Sequence, residues 1–346
     1  MTTTESTSSK TLAFWLARLL RWLLAGLVFF CKAALILWAT LAIYWSNLPW
    51  DWLRMALALA FLLFGIWVFW WARRFKVYLG FAGLFMVVAI WFILIPPHQD
   101  RNWRPEVAKL SRAYIDGDHV RITNVRNFKY RDADNFTVRY EEREVMLSHL
   151  TGVEFFVSYW MPGPVAHTFL SFNFDNAPPI CISIETRPAV GKGFDPLASM
   201  FKQFELIYIV ADERDLVGVR TDHRHEDVYM YQIRMSPEHA RELFVVYLNR
   251  INQLADRPEF YHLLSSNCTL NIVRYARLVG KSDHFEIRYW LNGFSDQGLY
   301  RAGYLAANLP FAELRRRSFI NPAAREAGDA PDFYQRIRNA VPRPQR

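Results

Sequence analysis

The first 96 residues of this 346-residue chain are almost wholly apolar, and that stretch limits the possible folds more than anything after it. A backbone in hydrocarbon has to satisfy its N–H and C=O groups internally, which leaves helices or a closed barrel. Three apolar stretches can be read, from about Trp22 to Tyr44, Leu53 to Trp71 and Val77 to Leu94. Each is close to the roughly 20 residues a helix needs to cross a bilayer. Trp45, Trp50, Trp52, Trp70 and Trp71 lie near the ends of these stretches, where amphipathic rings favour the interface. The expected organisation is a cytoplasmic segment over residues 1–21, three transmembrane helices within 22–96, and one domain over 97–346. The last is long enough to bury its own core.

Short loops predict the orientation. Lys10, Arg18 and Arg21 precede the first span, and Arg73, Arg74 and Lys76 separate the second from the third. Residues 46–51 contain no basic residue. The positive-inside rule then puts the N-terminus in the cytoplasm and everything after Pro96 outside. In a double-membrane bacterium this is a multi-pass inner-membrane protein with a periplasmic domain. Lys32 falls within the first span and has to face other helices or snorkel. A cleaved signal peptide with Leu23 to Phe30 as its apolar core is the rival reading, but no small-residue cleavage site follows cleanly and two further spans do. Thr2 to Ser9 is polar and low in complexity, and is expected to be disordered.

The formal charge of +8 does not point to nucleic acid, because the basic residues are scattered and no aromatic-basic motif accompanies them. Anionic lipid is the milder explanation. The three cysteines, Cys31, Cys181 and Cys268, exclude a disulfide-rich framework. A Cys181–Cys268 bridge remains open for an oxidising compartment, and it would remove Cys268 as a nucleophile.

Beyond Pro97, alternation predicts strands at His119–Ile122, Thr137–Tyr140, Gly152–Val157, Leu206–Val210, Leu216–Arg220 and Val228–Ile233. A hairpin is expected around the turn Asp175 to Pro179. On it, His167, Phe169, Ser171 and Asn173 share one face with Cys181, Ser183, Glu185 and Arg187. Helices are expected at Pro237–Ala255 and Cys268–Leu278, the second capped by Ser266 or Asn267 and stopped at Gly280. This is an α+β domain, an antiparallel sheet packed on helices.

Cys268 would then occupy the first turn of a helix, where the dipole and free N–H groups favour a thiolate. His167 is the candidate base, Glu185 the candidate orienting group, and Asn267 or the Cys268 N–H the candidate oxyanion donor. Taken singly, His167 reads as a satisfied strand histidine and Cys268 as a small buried residue; together they favour catalysis. Asp222 to Glu226 reads as a solvated turn rather than a metal site, since no completing ligands accompany it. Asp212 to Asp215 reads equally as a structural ion-pair network or a catalytic group. Arg315 to Arg317 with Arg336, Arg338, Arg343 and Arg346 reads as a solvated basic end. No metal or diffusible cofactor is implied.

From about Arg101 to Pro342 the chain resembles the Lnb N-terminal periplasmic domain family. The resemblance rests on Ala166 to Phe172, Ser183 to Arg187, Phe204 to Val210, Asp212 to Thr221, and Ser266 to Thr269. It implies a lipoprotein N-acyltransferase-like chemistry on a permuted papain/NlpC-P60-like fold, with Cys268 acylated and His167 activating it. The expected partners are a phospholipid acyl donor, the bilayer, and an amine acceptor such as a lipoprotein N-terminus. The spans precede the domain here, whereas they follow it in the name-giving member. A cysteine peptidase or amidase acting on cell-wall peptides, and a non-catalytic membrane scaffold, are the alternatives.

Overall fold

A computed structural model of the chain describes residues 5–280, 292–305, 309–339 and 341–342. The chain divides into two compact units, Met1–Pro96 and Pro97–Arg346.

The first unit contains α1 (Glu5–Tyr44), α2 (Asp51–Trp70) and α3 (Phe75–Leu94). All three are long and apolar enough to cross a membrane. The second and third agree with the expected spans to within two residues. The first does not stop at Trp22. Its apolar stretch begins at Phe14 and the helix begins at Glu5, inside the segment expected to be disordered. Arg18 and Arg21 therefore sit on a helix rather than before one. A helix of this length rises about 60 Å, roughly twice a bilayer's hydrocarbon core. Lys32 is half-buried, with Nζ 5.5 Å over the ring of Phe69 in α2, so it faces a neighbouring helix. The helices α1 and α2 approach closely at Gly65, where an added Cβ would lie 2.8 Å from Ile36.

The second unit is built on an eight-stranded sheet. Its strands are β1 (Arg112–Asp116), β2 (His119–Arg126), β5 (Tyr140–Met146), β6 (Leu150–Tyr159), β7 (His167–Phe174), β8 (Ile180–Arg187), β9 (Glu205–Asp212) and β10 (Asp227–Gln232). A separate short ribbon pairs β3 (Lys129–Tyr130) with β4 (Phe136–Thr137). The order across the sheet is β1-β2-β9-β8-β7-β6-β10, with β5 on β2. The sheet is mixed rather than purely antiparallel, because β2 meets β9 in parallel at Arg126 and Ala211. The run expected as one strand at Thr137–Tyr140 is the break between β4 and β5.

Strand alternation gives the sheet two buried faces. Phe172 and Tyr208 meet α5 (Pro237–Asp256) and α6 (Cys268–Leu278) through Phe244, Tyr247 and Tyr275. Phe156, Phe169, Cys181 and Ile209 belong to the opposite core, against α4 (Glu213–Gly218), α9 (Asn321–Ala327) and α10 (Phe333–Asn339). The shorter helices α7 (Ser295–Arg301) and α8 (Phe311–Arg317) complete the unit. Leu216–Arg220, expected as a strand, is helical: Asp212 caps α4 by accepting from Arg214 N at 3.0 Å. Leu216 and Val217 are both fully buried in the core with Ala324 and Phe333 of α9 and α10.

Three readings of charged segments change. Glu226 is buried and accepts from Ser158 Oγ, so the Asp222–Glu226 turn is anchored rather than solvated. Asp215 is fully buried and accepts from Arg126 and the Phe128 N–H, and Glu213 accepts from Ser171 and Arg338. That acidic stretch is a structural network. Arg315 pairs with buried Asp296 at 2.9 Å and Arg338 joins Glu154 to Glu213, so neither is on a solvated face. Burial explains all of these: an ion taken out of water has to be paired. Arg316, Arg317 and Arg336 are exposed, in local ion pairs. Arg343 and Arg346 lie outside the described residues.

Candidate active site

Cys268 begins α6, and Asn267 is its N-cap, accepting from Leu270 N at 2.8 Å. The cap leaves the thiol in the first turn, at the positive end of the helix. Thr269 Oγ1 meets Thr168 Oγ1 at 2.8 Å, which pins the start of α6 to the start of β7. His167 is the first residue of that strand.

The hairpin register is the expected one. Phe169 faces Ser183 and Ser171 faces Cys181, and the same register carried two residues further sets His167 opposite Glu185. His167 Nε2 lies 2.7 Å from Ser183 Oγ and 3.6 Å from Glu185 Oε1. Ser183 Oγ donates to Glu185 Oε1 at 2.6 Å. Its single hydrogen is used there, so His167 Nε2 has to be the donor to Ser183. This assigns the tautomer from the network and leaves Nδ1 as the nitrogen available to the thiol. Arg220 Nη2 closes the chain on Glu185 at 2.8 Å.

The electrostatics follow from this arrangement. Burial pushes the Cys268 thiol up, but attraction to His167, with hydrogen bonds from His167 and Thr168, brings it down to about 7. Burial likewise pushes His167 down, and Cys268 and then Glu185 overcome it and raise the imidazole to about 9. Burial works against ionised Glu185, yet Arg220 and His167 hold its carboxyl well below the usual carboxylate range. Between about pH 7 and pH 9 the favoured form is thiolate with imidazolium. Alkylation of Cys268 by iodoacetamide should therefore rise through about pH 7. In His167→Gln only hydrogen bonds such as those from Thr168 remain to offset burial, and the rise should move upward from about pH 7. A pH profile of the alkylation rate, followed by mass spectrometry, checks both; an unmoved profile in the variant would show that His167 does not set the thiol.

Of the expected residues, Cys268, His167 and Glu185 come together. The Asn267 amide is committed to the backbone: its Oδ1 holds the cap and its Nδ2 donates to Leu263 O at 2.8 Å. A different amide faces the thiol. Asn292 is buried, and its Nδ2 donates to Cys268 Sγ at 3.3 Å while Oδ1 has no hydrogen-bond partner among the described residues. Gly293 fixes it, since an added Cβ there would lie 2.4 Å from Gly163 O, and its N–H donates to Pro164 O at 2.9 Å. Tyr261 is also buried beside Cys268; burial, and then the thiolate, push its phenol well above the usual range and keep it a donor. Ser183, Arg220, Asn292 and Tyr261 carry no local motif. Ser183 has a signal in its place on the His167 face of the hairpin, and Arg220 lies within the Asp212 to Thr221 string of the resemblance. Cys181 is a free, fully buried thiol on the sheet, and burial raises it well above the usual thiol range. Cys268 is also free.

A narrow apolar pocket of about 60 Å³ lies between the sheet and α5, α6 and α7. Its lining includes Phe155, Leu170, Leu243, Ile272, Ala276 and Leu299. Leu170 is two residues along β7 from Thr168, on the same face. Ile272 and Ala276 are one and two turns along α6 from Cys268. The pocket thus lies beyond the Thr168–Thr269 pair on the same two elements that carry the site.

Three apolar helices and an α+β unit with a capped cysteine beside a histidine define a membrane-anchored protein with a thiol-type candidate site. Residues 136–293 match the model of the family described as the Lnb N-terminal periplasmic domain. The match contains Cys268, His167, Glu185 and Asn292, and is narrower than the resemblance read from the sequence. The chain is a membrane-anchored protein carrying a periplasmic domain of this kind. No curated protein and no solved structure matches it.

Proposed function

We propose that the protein is a cysteine acyltransferase that takes a fatty-acyl group from a membrane phospholipid and passes it to an amine. The Cys268 thiolate attacks an ester carbonyl of the lipid. The ester C–O bond breaks, His167 Nδ1 gives its proton to the leaving lysolipid oxygen, and a thioester remains on Sγ. An acceptor amine then attacks the thioester, the C–S bond breaks, and the amine proton returns to His167. Ser183, Glu185 and Arg220 hold the imidazole, while Asn292 and Tyr261 offer hydrogen bonds to the oxyanion. The acceptor in this reading is a lipoprotein N-terminus, the site lies on the periplasmic side of an inner membrane, and the N-terminus is cytoplasmic. The domain is read as a permuted papain/NlpC-P60-like one, with the histidine strand before the cysteine helix.

The observation that carries the reading is the thiol lowered by His167 at the start of α6, with an apolar pocket one to two turns further along the same helix. A peptide-cleaving site needs polar groups to hold a peptide backbone, whereas a narrow apolar slot suits an alkyl chain and keeps water from the thioester. The test is the intact mass of the full chain after incubation with phospholipid vesicles. A fatty-acyl increment is expected that neutral hydroxylamine removes and that Cys268→Ala lacks. An unmodified Cys268 in the wild type would reject the reading.

A further inference from the structure

Where the chain enters the second unit bears on how the site reaches lipid. The last span ends at Leu94, and His98 N already donates to Glu205 Oε1 at 3.1 Å, at the start of β9. Four residue steps extend at most about 14 Å. The segment that follows packs on the loop after β8: Trp103 pairs with Ala189, Arg104 N donates to Pro188 O, and Val190 N donates to Asn102 O. Arg187, the last residue of β8, lies 4.3 Å from the Trp103 ring and donates to Val107 O. The start of β9 and the end of β8 are on the same end of the sheet as His167, because Arg187 faces Glu205 and Glu185 faces Ile207.

That end also carries an unusual set of exposed side chains. Trp160, Met161 and Val165 are in the loop leading to His167, Phe194 is between β8 and β9, Leu264 is just before Cys268, and Phe294 follows Asn292. They are 40 to 60% exposed. Residues 160–166 contain no charge. The loops are joined to one another: Gly293 N donates to Pro164 O, and Tyr261 N donates to Phe204 O. Exposed large apolar residues scattered singly need no explanation, but several gathered around one site mark an interaction face. Mixed aromatic and aliphatic loops with Trp at their edge suit the bilayer interface.

We propose that this end of the sheet is a bilayer-docking face, with the loops bearing Trp160, Met161, Phe194, Leu264 and Phe294 immersed at the headgroup–acyl boundary. The exposed aromatic and aliphatic side chains of these loops supply the contact with lipid. A phospholipid ester then reaches Cys268 without leaving the membrane. The inference is independent of the acyl chemistry and survives if that chemistry fails.

The test uses the full chain in phospholipid nanodiscs, in a Cys31→Ser, Cys268→Ser background. Nitroxides are attached at Met161→Cys, Phe194→Cys and Leu264→Cys. Val138→Cys serves as a control, since it is exposed between β4 and β5, at the opposite end of the sheet. The first three labels should collide with oxygen at least threefold more than the control and be shielded from a water-soluble nickel chelate. Labels as open to nickel as Val138→Cys would overturn the proposal. So would labels shielded from both reagents, which would mean that protein, this chain or a second copy, covers the face. Lipid-immersed labels with no acyl adduct on wild-type Cys268 would reject the acyltransferase reading alone, and aqueous labels with an adduct would reject the docking face alone.

Discussion

Cys268→Ser is expected to abolish acyl transfer, with a loss on the order of 10⁶-fold in turnover, as when the nucleophile of a covalent catalyst is removed. A serine hydroxyl in the same place is not ionised near neutrality, so the His167 pairing that brings the thiol to about 7 has nothing equivalent to act on. His167→Gln should cost about 10²–10⁴-fold, the usual range for general acid–base catalysis. Asn292→Ala should cost about 10²–10³-fold if its amide serves the oxyanion. Asn267→Ala should behave differently, because its amide is spent on the backbone. It should lower stability by about 0.5–2 kcal/mol through loss of the cap, with turnover falling only as α6 loosens. Single-turnover transfer from radiolabelled phospholipid separates these cases. An Asn267→Ala loss as large as that of Asn292→Ala, with normal thermal stability, would reverse the two assignments.

Arg338→Met is expected to give the largest stability loss. Arg338 Nη1 lies 2.6 Å from Glu213 Oε2, and the same guanidinium holds Glu154 and donates to Asn173 Oδ1 at 2.8 Å. Both carboxylates are buried. Breaking such a pair leaves uncompensated buried charge, at a cost of about 3–5 kcal/mol. For a unit of this size that is roughly a 6–20 °C fall in Tm. The pH dependence has a definite sign. Burial already holds the Glu154 carboxyl above its usual range against the pull of Arg338. A carboxyl whose folded pKa is raised stabilises the fold below its unfolded value, and the benefit is lost as pH rises through the folded value. Removing Arg338 raises Glu154 further, so the deficit should be greatest near neutral pH and shrink as pH falls toward 5. Thermal unfolding of the full chain in detergent at several pH values measures it, and a deficit that grows on acidification would contradict the assignment.

Much of the candidate site is legible in the chain because it is local. His167 and Glu185 face each other because a short Asp-Asn-Ala-Pro-Pro turn fixes the hairpin register, and one strand's alternation then chooses the face. Cys268 is at a helix start because Asn267 caps and Gly280, at φ 79°, ends the helix. Asn267 shows the limit of the same reasoning. A polar residue beside a nucleophile reads equally as a cap or a catalytic donor, and only the positions of Leu263 O and Leu270 N decide between them. Asn292, Tyr261 and Arg220 reach the site across loops and a π-helical turn (Val219–His223), so no local pattern announces them.

The sequence by itself determined the spans, the α+β character and the residues able to carry thiol chemistry, since these depend on apolar length, strand period and capping within a few residues. Tertiary structure decided which face of the sheet each helix covers, that Leu216–Arg220 is helical, and that Arg338 and Arg315 pair with buried carboxylates rather than forming a solvated end. Those outcomes depend on which distant groups share low-dielectric space, and the energy of a buried charge is set by neighbours that lie far away along the chain.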